Sequence, residues 1–304
     1  MANAYASIIV DAPVEAVWPV IRDFNGLPNW LAGVAGSSIE GGRDADTVGS
    51  VRLLKLADGG ACSERLVALD DSRYMVSYSF VQQLFPISDH RATIELIPVT
   101  SGERTFVQWS ATFKDLPGHE GETEPIMQAR VFEDGLAALA EKCKGATAPA
   151  GALRWDGWRP AKVFCSSVIN GPRAAVWDRV RDFTGMGGWH PDITGMKMIG
   201  GVRPDKLSGV RDFQFGEGRI TERLTLLNDA DYEFRYHIEQ SPMPWMNYHA
   251  GVHLYPITAG NKTCAVWFAD WVASPNDDTR LIGEIHNNVF QKAFDTLNER
   301  FFPG

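Results

Sequence analysis

The chain states one pattern twice, and the distance between the two statements limits what it can fold into. Ala16-Val17-Trp18 returns as Ala175-Val176-Trp177, Arg22-Asp23-Phe24 as Arg181-Asp182-Phe183, and Trp30 as Trp189, a spacing of 159 residues. After a one-residue deletion the spacing becomes 158: Glu64-Arg65-Leu66 matches Glu222-Arg223-Leu224, Tyr78 matches Tyr236, Trp109 matches Trp267 and Phe132 matches Phe290. Solenoid units run to roughly 20 to 50 residues, so this period is a whole fold copied in tandem. The expected organisation is a first domain over residues 1–145, a linker over 146–161 and a second domain over 162–304. The linker is rich in Gly, Ala and Pro, and its Trp155 and Trp158 are expected to pack on a domain surface.

Composition fits two globular cores and narrows the partners. At 304 residues and 44% apolar content, each copy has enough hydrophobic side chains for a core of its own. A net charge of −9 argues against nucleic acid or an anionic membrane, which call for a basic patch. No apolar run approaches the roughly 18 residues of a membrane span, and Met1 leads into a polar strand rather than a signal-peptide core. Cys62, Cys143, Cys165 and Cys264 are scattered without C-x-x-C spacing, so neither a zinc site nor a disulfide framework is indicated. A cytoplasmic location is the expectation.

Within each copy the pattern reads strand, helix, several strands, helix. Asp11-Ala12-Pro13 and Asn170-Gly171-Pro172 combine a cap-like polar residue with Pro, a helix-start signal. Val14, Val17, Trp18 and Ile21 then follow with helical spacing, as do Val176, Trp177 and Val180. The strands alternate: Tyr232, Phe234, Tyr236 and Ile238 face inward between charged neighbours, and Val107, Trp109, Ala111 and Phe113 share one face. Ile126, Val131, Phe132, Leu136 and Leu139 predict a closing helix in the first copy, and Leu281, Ile285, Val289, Ala293 and Leu297 in the second. An antiparallel sheet with one long C-terminal helix is an α+β unit.

Several segments carry a resemblance: Glu64-Arg65-Leu66 with Leu69-Asp70-Asp71, Glu222-Arg223-Leu224 with Leu227-Asn228-Asp229, Ser241-Pro242 to Pro244 leading into Tyr248, and Leu254-Tyr255-Pro256. Together they resemble the START-like superfamily, also called helix-grip, Bet v 1-like or SRPBCC, which includes polyketide cyclase/dehydrase-type proteins. Asp89-His90-Arg91 echoes a gate-loop motif of plant abscisic-acid receptors in that superfamily. The resemblance implies, in each copy, a curved antiparallel sheet wrapped around the C-terminal helix with an internal cavity. It further implies one hydrophobic or aromatic small molecule in that cavity and no organic cofactor or metal. The superfamily mixes aromatase/cyclases, hydrolases, lyases, carriers and receptors, so fold alone does not choose among them.

Strand parity sorts the polar candidates. Glu222 shares a face with Ile220, Leu224 and Leu226; a carboxylate there is either a general acid or base tuned by burial or the partner of an inward Arg211. Glu64 and Arg52 repeat the choice in the first copy. Tyr248 lies on the face of Ala250, Val252 and Leu254, with His90 at the matching position, and Tyr236 and Tyr78 lie one strand earlier. A phenol donates to a carbonyl or oxyanion and a histidine shuttles protons near neutrality; either is also able to be a satisfied core residue. His190, followed by Pro191 and Asp192, sits in the loop that the resemblance places at the cavity mouth, as an entrance acid/base or a surface residue. Phe113, Phe234, Trp267 and Trp271 are candidates to stack on a flat ligand, or core. Two motifs fail: His249 and His253 face outward from a strand, and Gly216-x-Gly218 is a hairpin turn.

The leading expectation is a cofactor-free lyase or cyclase. Glu222, Tyr248 and Tyr236, or Glu64, His90 and Tyr78, would carry out acid/base cyclisation, dehydration or a retro-aldol-type step on an aromatic or polyketide-like molecule. Arg211, Arg52, Trp267, Trp271, Phe234, Tyr78, Phe113 and His190 would bind it. The alternative is a non-catalytic carrier or sensor of the same ligand class. Either reading admits a homodimer.

Overall fold

A computed structural model describes residues 2–152 and 161–304. Trp155 and Trp158, and with them half of the expected linker, lie outside the described residues. The described chain forms two compact units, each with its own sheet and core.

In the first unit the elements are β1 (Ala2–Val10), α1 (Val14–Arg22), β2 (Val34–Ile39), β3 (Val51–Leu56), β4 (Ala61–Asp70), β5 (Met75–Gln82), β6 (Ile87–Val99) and β7 (Arg104–Asp115). A C-terminal helix follows as α2 (Thr123–Ile126), a π-helical stretch (Met127–Glu133) and α3 (Asp134–Cys143). The second unit repeats this as β8 (Val163–Ile169), α4 (Arg173–Val180), β9 (Ile193–Met198), β10 (Val210–Phe215), β11 (Gly218–Asn228), β12 (Glu233–Gln240), β13 (Met246–Ile257) and β14 (Lys262–Val272). It closes with α5 (Pro275–Glu284), a π-helical stretch (Ile285–Gln291) and α6 (Lys292–Phe301).

Both sheets are antiparallel meanders in which the first strand lies beside the last: β1-β7-β6-β5-β4-β3-β2 and β8-β14-β13-β12-β11-β10-β9. Bulges bend the sheets at matching points. The β4–β5 register shifts at Ser63/Glu64 and Leu66/Ala68, and the β11–β12 register at Thr221/Glu222 and Leu224/Leu226. The concave face holds the C-terminal helix: Phe132 stacks on Trp109 at 4.9 Å, and Phe290 on Trp267 at 4.3 Å. These are two tandem helix-grip domains of the α+β class.

Three local readings need correction. Pro13 and Pro172 occupy the helix caps themselves in extended conformation, and no side chain caps either helix, so proline stiffness rather than Asp11 or Asn170 sets the start. Tyr232 precedes β12 in a left-handed turn (φ 57°), outside the inward row of that strand. Ile126 is 49% exposed while Met127 is buried, because the π-helical stretch shifts the inward stripe that a strict α-helical period assumes.

Candidate functional site

Beneath the concave face each domain carries the same buried polar assembly. Arg52 and Glu64 are directly opposed on β3 and β4, as are Arg211 and Glu222 on β10 and β11. Arg52 Nε donates to Glu64 Oε2 at 2.7 Å and its Nη1 to the main-chain oxygen of Phe24 at 2.6 Å. Arg211 Nε donates to Glu222 Oε2 at 2.6 Å and its Nη1 to the oxygen of Phe183, also at 2.6 Å; Nη2 pairs with the same carboxylate. The guanidinium carbons lie 4.1 Å and 3.9 Å from the ring centres of Phe24 and Phe183. Each arginine thus clamps the loop after the first helix to the sheet. Trp109 Nε1 donates to Tyr78 Oη at 2.9 Å, and Trp267 Nε1 to Tyr236 Oη at 3.1 Å.

In the second domain this assembly borders a cavity of about 40 Å³ between sheet and helix. Glu222, Tyr236, Tyr248 and Trp267 line it, with Trp245 and Phe213 among the other walls. Burial raises the Glu222 carboxyl above its ordinary range, and Arg211 pulls it back by charge and hydrogen bonding. Burial and the Glu222 charge hold the Tyr236 phenol high, and burial, Tyr236 and Glu222 do the same for Tyr248. At neutral pH both phenols therefore keep their protons and act as hydrogen-bond donors. Tyr248 reaches the inner face through a register shift in β13, where Asn247 takes a left-handed φ of 53°.

The remaining candidates are buried around this cavity but do not line it. Arg211 lies behind Glu222, and Phe234 packs on Phe183 and Trp177. Trp271 stacks on Tyr248 at 5.6 Å with a 4° interplanar angle, its Nε1 committed to Asp278 Oδ1 at 2.8 Å. His190 is 2% exposed, so its loop is packed rather than a loose surface turn. Its Nδ1 accepts from the main-chain N–H of Asp192 at 3.2 Å, which leaves Nε2 to donate to the Val289 oxygen at 3.3 Å. The Asp192 carboxylate that sequence reading set beside this imidazole instead pairs with Lys292 Nζ at 2.6 Å. Burial depresses the His190 pKa to about 4, so the ring is neutral.

In the first domain a void of about 10 Å³ lies beside Phe24, Arg52, Tyr78 and Trp109, a different place from the cavity of the second domain, while Glu64, His90 and Phe113 are buried off it. His90 Nδ1 accepts from the Phe80 main-chain N–H at 3.3 Å and its ring lies 4.2 Å from that of Phe80; burial lowers its pKa to about 4. Among the described residues no group of three or more His, Cys, Asp or Glu is gathered to hold a metal ion. No helix among them is long and apolar enough to cross a membrane.

Sequence reasoning passed over Trp245, Met243, Phe213 and Phe215, all of which line the second cavity. The signal for Trp245 was an aromatic residue in the Pro242–Pro244 turn that leads into the strand of Tyr248, where no periodicity marks a face.

The sequence model of the family described as polyketide cyclase / dehydrase and lipid transport matches residues 1–144 and again residues 160–301. The chain belongs to that family. Solved structures similar to it include a Thermobifida fusca protein, 33% identical over 47% of this chain and 93% of that one, with a TM-score of 0.42. An uncharacterized protein from Bacillus thuringiensis is 31% identical over 46% of this chain and 98% of its own, with a TM-score of 0.41. The di-domain ARO/CYC BexL from the BE-7585A biosynthetic pathway aligns over 98% of both chains at 12% identity and a TM-score of 0.41.

Proposed function

We propose that the second domain binds a flat, hydrophobic carbonyl compound and acts on it by acid/base chemistry without an organic cofactor. The observation that supports this is the meeting of one carboxylate and two protonated phenols, Glu222, Tyr236 and Tyr248, on a single aromatic-walled cavity. In this reading Tyr248 donates to the ketone oxygen of a β-hydroxy ketone and Tyr236 supports it. Glu222 removes the α-proton, the enol electrons form the C=C bond, and the β-C–O bond breaks. The departing hydroxyl takes the proton from Glu222 and leaves as water. A retro-aldol step uses the same groups: removal of the β-hydroxyl proton cleaves the α–β carbon bond, and the enol is reprotonated.

A cavity of about 40 Å³ is far below the roughly 300 to 1,000 Å³ of ordinary ligand sites, so binding requires the walls to part. Met243 and Trp245 are half-buried walls carried on the irregular β12–β13 turn, outside the strand ladders that fix most of the others. The small volume, together with Glu222 already paired to Arg211, favours a second reading: a carrier that encloses its ligand without changing it.

The test is the aldol adduct of benzaldehyde and acetone offered to the full chain. Catalysis predicts release of the enone, or of benzaldehyde, with turnover falling about a hundredfold in Tyr248→Phe while the melting curve is retained. Saturable binding with no product in the parent protein establishes the carrier. An adduct that neither binds nor reacts sinks both readings.

A further inference from the structure

Among the indoles of the second domain, Trp245 is unusual in what its N–H does. Trp267 Nε1 is bonded to Tyr236, Trp271 Nε1 to Asp278 and Trp177 Nε1 to Asp229. Trp245 lines the cavity, yet its buried Nε1 has no hydrogen-bond partner among the described residues. Trp189 Nε1 shares that condition but does not border the cavity. The Trp245 ring is set by its neighbours, 4.7 Å from Tyr248 and 5.7 Å from Trp271. An unpaired buried donor is costly, and the fold does not demand one here: the first domain has Ile87 at the matching position.

We propose that Trp245 is a specificity-determining residue whose indole N–H selects ligands bearing an acceptor oxygen. This rests on the ligand-binding reading of the second domain and adds the group by which the ligand is chosen. Acceptors bordering the cavity are already engaged: the Glu222 oxygen nearest Arg211 takes its guanidinium, and the Tyr236 hydroxyl accepts from Trp267 Nε1. A hydrocarbon of the right shape would leave the Trp245 N–H buried and unpaired; a ketone of the same shape satisfies it.

Two probes isolate this contact: methyl naphthyl ketone and isopropenylnaphthalene, which have the same shape but place oxygen or carbon against the donor. The full chain should bind the ketone about tenfold more tightly, as expected for one buried hydrogen bond. Trp245→Phe should abolish the preference, bringing the ratio of ketone to hydrocarbon affinity to about one. Replacing Trp245 by its benzothienyl analogue, which keeps the ring shape and deletes only the N–H, should do the same even if the phenylalanine variant folds poorly. Equal binding of both probes by the parent protein overturns the proposal while leaving ligand binding intact. A preference that survives in both Trp245 variants and disappears in Tyr248→Phe moves the selection to Tyr248. Failure of both probes to bind removes the ligand-binding reading, and this proposal with it.

Discussion

The two domains share a frame and differ in what the frame encloses. Arg52, Glu64, Tyr78 and Trp109 have their bonds reproduced, partner for partner, by Arg211, Glu222, Tyr236 and Trp267. On the outer side, Trp18 and Arg22 hold Asp71 as Trp177 and Arg181 hold Asp229. Yet the voids lie at different places, about 10 Å³ beside Phe24 and Arg52 in the first domain and about 40 Å³ beside Trp245 and Tyr248 in the second. The differences are spread around the second-domain cavity: Phe213, Trp245 and Tyr248 stand where the first domain has Leu54, Ile87 and His90, and Met186, Ile193, Phe215, Ile220, Ile238, Met243 and Ile285 also differ from their counterparts. Polar groups repeated with their partners are scaffold first, and polar groups that differ are where specialisation is to be sought. Glu222 repeats Glu64 with its partner and is scaffold first, and it also borders the cavity of the second domain.

The strongest blow to this comparison would come from the carboxylates. Glu64→Gln and Glu222→Gln should each cost about 3 to 5 kcal/mol in urea unfolding, because each leaves a buried guanidinium without its counter-charge. A large loss in one domain and none in the other would refute a shared scaffold.

Acid offers the next test, using one histidine per domain at positions that do not correspond. His90 and His190 are both depressed to about 4 by burial, against about 6.5 in the unfolded chain. Each therefore contributes stability that is fully present above pH 6.5, declines as the pH falls below it and is gone near pH 4. The loss is up to about 3 kcal/mol per histidine. Unfolding measured from pH 7 to pH 4 should be flattened by His90→Asn or His190→Asn, relative to each variant's own value at pH 7; an unchanged slope refutes the assignment.

The smallest effect sharpens the picture rather than breaking it. Tyr78→Phe and Tyr236→Phe each remove the acceptor of one buried indole N–H and should cost about 1 to 3 kcal/mol of stability. Comparable losses mark the Trp–Tyr bond as common framework. A clearly smaller loss for Tyr236→Phe, read by thermal denaturation, would mean that the larger cavity lets water take its place.

Much of this was legible because alternation and the repeat report on the same faces. Parity put Glu222, Tyr236 and Tyr248 on the inner side, and all three are buried. Parity stops at Leu224, where a bulge intervenes, and Leu226 is only half-buried. Cavity size was not legible, because it depends on how side chains from β10, β12, β13, the C-terminal helix and an irregular turn fit together. Trp245 lies in that turn, where no period exists to read. Gly135 is a similar case: a methyl group there would sit 2.8 Å from the Trp109 ring, so its absence lets helix and sheet close up in the first domain. At the matching position the second domain has Ala293.

The π-helical stretches have a bearing on ancestry. They cover Met127–Glu133 and Ile285–Gln291, the same offset that relates Trp109 to Trp267. A wide turn accommodates an extra residue within a helix, and two independent insertions would have had to fall at one point to produce this match. The parsimonious history is a single-domain ancestor that already had the wide turn and was then duplicated. The bulges before Glu64 and Glu222 and the left-handed residues Asp89 and Asn247 share that spacing and date from the same stage. The differences between Leu54, Ile87 and His90 and their counterparts Phe213, Trp245 and Tyr248 arose after the duplication, in one copy or the other, on a frame that both inherited.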